Sequence, residues 1–280
     1  MKIAVTGASG FVGRHVIAQL TRVPVEIVAV TRDATRLNGL GGAIRIVEWD
    51  ITDADAKCFE LLGHPDTLIH LAWEGLPNYK SLRHFETELP RQFRFLKGLV
   101  AAGLPSLLVS GTCFEYGMQS GGLSEDVLAQ PATPYGHAKN ALREQLQFLK
   151  TMQPYALTWA RLFFMYGDGQ PKSSLLPQLR DAVSRGDKTF EMSGGEQLRD
   201  YLPVAEVARL IVELALHHPD AGVVNICAGA PISVRRLVEQ WIRDSAWEIE
   251  LNLGRYPYPD HESMAFWGSR SKLNSLLGSS

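Results

Sequence analysis

Tyr135 and Lys139 stand four residues apart in the run Tyr135-Gly136-His137-Ala138-Lys139. On a helix that spacing puts both side chains on one face. An ammonium beside a phenol favours phenolate and draws the phenol pKa down from about 10, which makes a usable proton donor and acceptor. Of the eight tyrosines, only Tyr135 has a lysine four positions on. A second hydroxyl, Thr112, follows the apolar run ending Val109-Ser110-Gly111. At the carboxyl end of a strand it would point into a ligand crevice and hydrogen-bond a substrate carbonyl. Either feature alone is common in proteins that do no chemistry. Their order along the chain, with the motif below, gives them weight.

That motif is Thr6-Gly7-Ala8-Ser9-Gly10-Phe11-Val12-Gly13. It follows the apolar strand Lys2–Val5 and opens an amphipathic stretch, Val12–Thr21. Gly7, Gly10 and Gly13 would allow a tight turn, close approach of a pyrophosphate and close helix–strand packing. Ser9, Phe11 and Val12 lie in the same turn, whose free N–H groups face the phosphates. The second strand ends Val30-Thr31-Arg32-Asp33. NAD binders usually place a carboxylate here for the ribose 2′-hydroxyl. Arg32 and Arg36 instead suit a 2′-phosphate, so NADP is the expected cofactor, with Asp33 keeping NAD open.

The elements around these residues alternate. Short apolar runs at Lys2–Val5, Ile27–Val30, Ile44–Val47, Leu68–Ala72, Leu107–Ser110 and Leu157–Phe164 read as parallel strands covered on both faces. Between them, Val12–Thr21, Ala54–Leu62, Leu82–Ala102 and Tyr135–Lys150 read as helices. The expected fold is therefore α/β, a doubly wound parallel sheet of Rossmann type. After about Tyr166 the rhythm changes. Helices are expected at Leu175–Ser184, Val204–His217 and Val234–Ser245, with a strand at Val223–Cys227. We expect a nucleotide-binding domain of residues 1–166, rejoined by 200–229, and a small substrate lobe of 167–199 and 230–280.

Composition narrows the function classes. A net charge of −2 and scattered basic residues give no field for nucleic acid or an anionic membrane. No apolar run is long enough to span a bilayer. Cys58, Cys113 and Cys227 lack disulfide or zinc spacing, and the eight histidines lack metal-ligand spacing, so no metal is expected. The first residues already form a strand, which leaves no room for a signal peptide, and a cytoplasmic location is expected.

With Asp50-Ile51, His70-Leu71-Ala72, Ser110-Gly111-Thr112, Arg161 and Leu198-Arg199-Asp200-Tyr201 added, the chain resembles extended short-chain dehydrogenase/reductases of the nucleotide-sugar epimerase/dehydratase group. The resemblance spans essentially the whole chain. It implies that Asp50 and Ile51 touch the adenine, that Leu71, Ala72, Trp73 and Ser110 line the cofactor, and that Tyr135 and Lys139 touch it too. It implies that Arg199 binds the diphosphate of a nucleotide sugar, with Arg255 a weaker match to a second family arginine. A homodimer through Leu82–Ala102 and Tyr135–Lys150 is a candidate assembly.

Departures from the family narrow the reaction. Cys113-Phe114 follows Thr112 where dehydratases carry Asp-Glu, and Phe114 stands where C3/C5 epimerases place a cysteine. Phe164 replaces the asparagine of a family Arg-x-x-Asn segment. Trp73 through Tyr79 and Gly111 through Gly117 resemble 4-ketoreductases of deoxysugar biosynthesis, such as those making dTDP-6-deoxy-talose. Trp73, Asn78 and Tyr79 would then edge the sugar pocket, although packing under a loop explains them equally well. The expected activity is NADPH-dependent reduction of a 4-keto-6-deoxy sugar nucleotide. A C4 epimerase with bound NAD and a non-catalytic nucleotide sensor are the alternatives, the second disfavoured by Tyr135 and Lys139.

Overall fold

The computed structural model describes residues 1–39, 43–53 and 57–278. Seven parallel strands form one sheet in the spatial order Ile44–Glu48, Glu26–Thr31, Lys2–Thr6, Thr67–His70, Ser106–Thr112, Ala156–Leu162 and Gly222–Ile226. The chain first winds outward from Lys2–Thr6, then crosses back to continue on its other side. The strand order therefore reverses between Lys2–Thr6 and Thr67–His70, and a crevice opens there at the carboxyl ends of the strands. All seven residues of Ser106–Thr112 are buried, as a strand covered on both faces requires.

Two apolar cores flank the sheet. On one face Val16, Ile17 and Leu20 of helix Phe11–Leu20 pack with Val207, Ile211 and Leu214 of helix Val204–His217. On the other, Phe95, Leu96 and Leu99 of helix Leu89–Ala101 pack with Leu142 and Leu146 of helix Pro134–Met152. A third cluster joins Leu179, Phe190, Met192, Val238 and Trp241 from helices Leu175–Arg185 and Val234–Asp244 and the small sheet between them and Glu250–Asn252. No described helix is long and apolar enough to cross a membrane.

Several elements differ from their sequence-based expectation. Leu82–Ala102 is not one α-helix. Its start, His84–Glu88, is a π-helix that passes into the α-helix Leu89–Ala101. Pro90 accounts for this, because its ring cannot accommodate a regular i−4 carbonyl and it has no N–H to give. Of the expected helix Ala54–Leu62, Cys58–Leu61 is observed, and residues 54–56 lie outside the described residues. Leu157–Phe164 splits into Ala156–Leu162 and Phe164–Tyr166. The second piece leaves the main sheet to pair with Tyr201–Pro203. The tail also departs from the expected lobe. Phe266–Gly268 pairs with Gly121–Leu123, and helix Ser271–Leu277 buries Leu273 in the core beneath the sheet. Leu273 finds apolar cover there, and Lys272 Nζ donates to the Val223 carbonyl at 2.7 Å.

Candidate active site

The glycine turn is shaped by contacts that no side chain would survive. Gly7 has φ +69°, and a Cβ on it would stand 2.8 Å from the Ala72 nitrogen. A Cβ on Gly13 would stand 2.1 Å from the Gly7 carbonyl oxygen. Gly10 caps helix Phe11–Leu20 with no side-chain hydrogen bond, and no acidic residue lies in the first turn. The first N–H groups of that helix are thus open to an anion. Ser9 and Thr31 hydroxyls, 2.8 Å apart, tie the turn to the second strand. These features fit a dinucleotide pyrophosphate.

Beside the turn a pocket of about 200 Å³ is lined by Ser9, Arg32, Arg36, Asp50, Ile51 and Ala72, among others. Asp33 borders it, but its carboxylate accepts from the Thr35 N–H at 3.0 Å and the Thr35 hydroxyl at 2.5 Å, capping its own short 3-10 helix. The Thr35 hydroxyl holds the Asp33 carboxyl below its usual range. Arg32 is ion-paired with Glu74. Asp50 accepts from the Thr52 N–H at 2.9 Å and lies 3.4 Å from Arg91.

A larger cleft of about 550 Å³ continues from Gly7, Gly10, Phe11, Val12 and Gly13 past Leu71, Trp73 and Ser110 to Thr112, Tyr135 and Lys139. Thr112 ends its strand, and its hydroxyl accepts from the Phe114 N–H at 3.3 Å. The same hydroxyl lies near enough to the Tyr135 phenol to favour its ionised form. Thr133 caps the helix of Tyr135, accepting from the Gly136 N–H at 3.1 Å. Lys139, 1% exposed, donates from Nζ to the Ser110 carbonyl at 2.8 Å.

One electrostatic expectation is corrected. The Tyr135 pKa lies above its ordinary value, not below it. Burial pushes the Tyr135 phenol far above its ordinary value, against the lowering influence of the Thr112 hydroxyl. Burial likewise pulls Lys139 down to about 7, against the stabilising charges of Glu115 and Glu88. Both charged forms lose hydration in the same enclosed site, and the ammonium turns to a carbonyl.

Of the residues expected to meet a sugar, Trp73, Tyr79 and Phe164 line the larger cleft. The Tyr79 ring lies 5.6 Å from that of Tyr135 and 4.7 Å from Phe114, and its carbonyl accepts from the Tyr135 N–H at 3.2 Å. Asn78 is exposed and borders a separate shallow depression, its carbonyl oxygen 2.8 Å from His84 Nε2. Arg199, 2% exposed, is engaged by Glu262 through Nε at 3.0 Å and Nη2 at 2.7 Å, and its Nη1 donates to the Leu198 carbonyl. It borders a neighbouring pocket shared with Phe164 and Tyr201. Arg255 lies on the surface, 3.4 Å from Glu191, outside that cleft's lining.

Sequence reasoning missed several residues. Glu115, fully buried, accepts from the Thr112 N–H at 2.8 Å, Trp159 Nε1 at 2.9 Å and Arg161 Nε at 2.7 Å. Its only sequence signal was its place three residues after Thr112, a capping-box spacing. Glu74, Glu88 and Arg91 border the smaller pocket. Leu175, Tyr201 and Trp241 supply the far wall of the larger one. His70, buried between Thr6 and Gln92 at 2.7 Å on each side, is pulled by burial to about 3 and stays neutral. Among the described residues no group of three or more histidine, cysteine or carboxylate side chains could hold a metal.

Comparison with known proteins agrees with this geometry. The model of the NAD dependent epimerase/dehydratase family matches residues 3–227. The chain is 27% identical over 272 residues to dTDP-6-deoxy-L-talose 4-dehydrogenase (NAD(+)) of Aggregatibacter actinomycetemcomitans, covering 96% of this chain and 100% of that one. It is 28% identical over 270 residues to dTDP-6-deoxy-L-talose 4-dehydrogenase (NAD(P)(+)) of Kitasatospora kifunensis, covering 92% and 83%. Among solved structures, MoeE5 in complex with UDP-glucuronic acid and NAD superposes with a TM-score of 0.83 at 27% identity, covering 99% of this chain and 93% of that one. With a seven-stranded parallel sheet, a glycine turn at its switch point and Tyr135 and Lys139 on one helix, this chain belongs to the NAD dependent epimerase/dehydratase family.

Proposed function

We propose that this protein reduces the 4-keto group of a nucleotide-linked 4-keto-6-deoxyhexose, using NADPH with NADH as a second usable cofactor. The observation that carries this reading is the lining of the larger cleft. It holds the Thr112–Tyr135 pair and Lys139, and among the described lining residues there is no carboxylate and no imidazole. Removing water would need a further acid–base pair beside Thr112. Inverting C3 or C5 would need a second base. Phe114 cannot serve, and burial pushes the Cys113 thiol far above its ordinary value. The two talose dehydrogenases similar to this chain are named for the same hydride transfer in the oxidative direction.

The dinucleotide, when bound, supplies the hydride. The chain's own residues do the rest. Thr112 and Tyr135 hydrogen-bond the C4 oxygen and stabilise the negative charge that develops there. Tyr135 then gives its phenolic proton to that oxygen, and its buried environment keeps the phenol protonated beforehand. Trp73, Tyr79 and Phe164 flank the sugar ring. Arg199 exchanges Glu262 for the substrate diphosphate, so binding energy far from C4 aligns the reacting carbon. The lobe built on Leu175–Arg185 and Val234–Asp244 closes the cleft from its far side.

Turnover of a panel of 4-keto-6-deoxy sugar nucleotides with NADPH in deuterated water tests this. One reduced product is expected, with no deuterium at C3 or C5 beyond the uncatalysed background. Enzyme-dependent deuterium at either carbon overturns the reading. Tightly retained NAD with C4 interconversion and no net oxidation would instead establish an epimerase.

A further inference from the structure

Arg32 does not face the adenosine pocket as a free cation. Its guanidinium is held by Glu74, which comes from the loop after strand Thr67–His70 and lines the same pocket. Glu74 also takes Arg83 Nη2 at 2.8 Å and lies 3.4 Å from Arg91 Nη1. Arg91 is fixed in turn by the buried Glu88 at 3.0 Å. Glu74 is therefore anchored from one side by two arginines while it occupies Arg32 on the other. Asp33, the carboxylate that kept NAD open in the sequence, is turned onto Thr35.

We propose that Glu74 sets the dinucleotide preference of this site by competing with a 2′-phosphate for Arg32. The inference rests on the reading that Arg32 meets that phosphate. A phosphomonoester at this position carries about −1.5 to −2 charges at neutral pH. To pair with Arg32 it must displace Glu74. The displaced carboxylate stays nearby, because Arg83 and Arg91 hold it, and it opposes the phosphate as a like charge. A ribose with a free 2′-hydroxyl meets no such opposition, since a carboxylate accepts from a hydroxyl. Glu74 thus narrows the advantage that Arg32 and Arg36 would give NADPH over NADH.

The test is titration of the full chain with NADPH and with NADH, without sugar nucleotide, for the wild type, Glu74→Gln, Arg32→Ala and the double variant. Glu74→Gln should tighten NADPH by about tenfold and leave NADH within about twofold. The gain should shrink in the Arg32→Ala background, where the competition for Arg32 is gone and only the like-charge repulsion remains. Glu74→Asp, which keeps the charge but shortens its reach, should give a smaller shift of the same sign and guards against a folding defect in Glu74→Gln. An unchanged NADPH-to-NADH ratio in both Glu74 variants, while Arg32→Ala selectively weakens NADPH, would overturn the inference and leave the phosphate reading intact. A gain of undiminished size without Arg32 would also overturn it. Equal weakening of both cofactors by Arg32→Ala would remove the phosphate reading itself, and the inference with it.

Discussion

The Lys139 ammonium sits 4.1 Å from the ring centre of Trp73 while it donates to the Ser110 carbonyl at 2.8 Å. The cation therefore faces an indole and a carbonyl dipole instead of a carboxylate. Both partners favour the charged form, and a desolvated cation–π contact contributes on the order of 2 kcal/mol. Burial is still the larger effect, and it leaves Lys139 titrating near 7. Trp73 also borders the smaller pocket, so one side chain touches both halves of the crevice.

Tyr135→Phe keeps the ring and its contacts with Tyr79 and Trp73 but removes the hydroxyl proposed as the proton donor. Positioned acid–base groups contribute roughly 10²–10⁴-fold. We expect kcat to fall by that factor while the dissociation constant for NADPH stays within about threefold of the wild type. Single-turnover reduction at near wild-type rate would remove Tyr135 from the chemistry.

Lys139→Met should stabilise the protein, most of all at neutral pH and below. The folded-state value of about 7 lies below the ordinary 10.5, so the unfolded chain binds the proton more tightly. The resulting penalty is complete below pH 7, fades between 7 and 10.5, and is absent above that range. Thermal melts at pH 6.5 and pH 9 should show Lys139→Met melting above the wild type, with the smaller gap at pH 9. A gap that widens with pH would contradict the assignment.

Glu115 and Arg161 form an ion pair whose side chains are 0% and 3% exposed. Arg161→Met strands the Glu115 carboxylate among Trp159 and the Thr112 backbone. Removing one partner of such a pair costs about 3–5 kcal/mol. Chemical denaturation should show that loss, and Arg161→Met combined with Glu115→Gln should recover part of it. Full additivity of the two substitutions would mean that the pair is not coupled.

What the sequence revealed and what it hid follow from the range of each interaction. The strand Ser106–Thr112 was legible because a strand covered on both faces carries a continuous apolar run, here Leu107-Leu108-Val109. Tyr135 and Lys139 were legible because one helix holds both. The direction of their pKa shifts was not, since adjacency in sequence says nothing about burial. Glu74 and Arg32 are 42 residues apart, and neither follows a hydrophobic period, so only the folded chain brings them together. Pro90 was visible in the sequence, but its effect, a π-helical turn ahead of it, depends on how the packed segment absorbs a missing hydrogen bond.

Arg199 gives the sharpest division between a structural and a substrate role. Its guanidinium lies over the Phe266 ring at 4.6 Å, and Glu262 takes both Nε and Nη2. If the substrate diphosphate takes over those two donors, Glu262 is a competitor and Arg199 is a clamp. Arg199→Lys keeps the charge but loses the planar fork that binds two oxygens at once. We expect it to raise KM for the sugar nucleotide about tenfold and leave KM for NADPH unchanged. Glu262→Gln weakens the competitor and should lower the sugar-nucleotide KM. The two substitutions therefore move the same constant in opposite directions. A purely structural tie predicts that both raise it, so the sign for Glu262→Gln in steady-state kinetics decides between the roles.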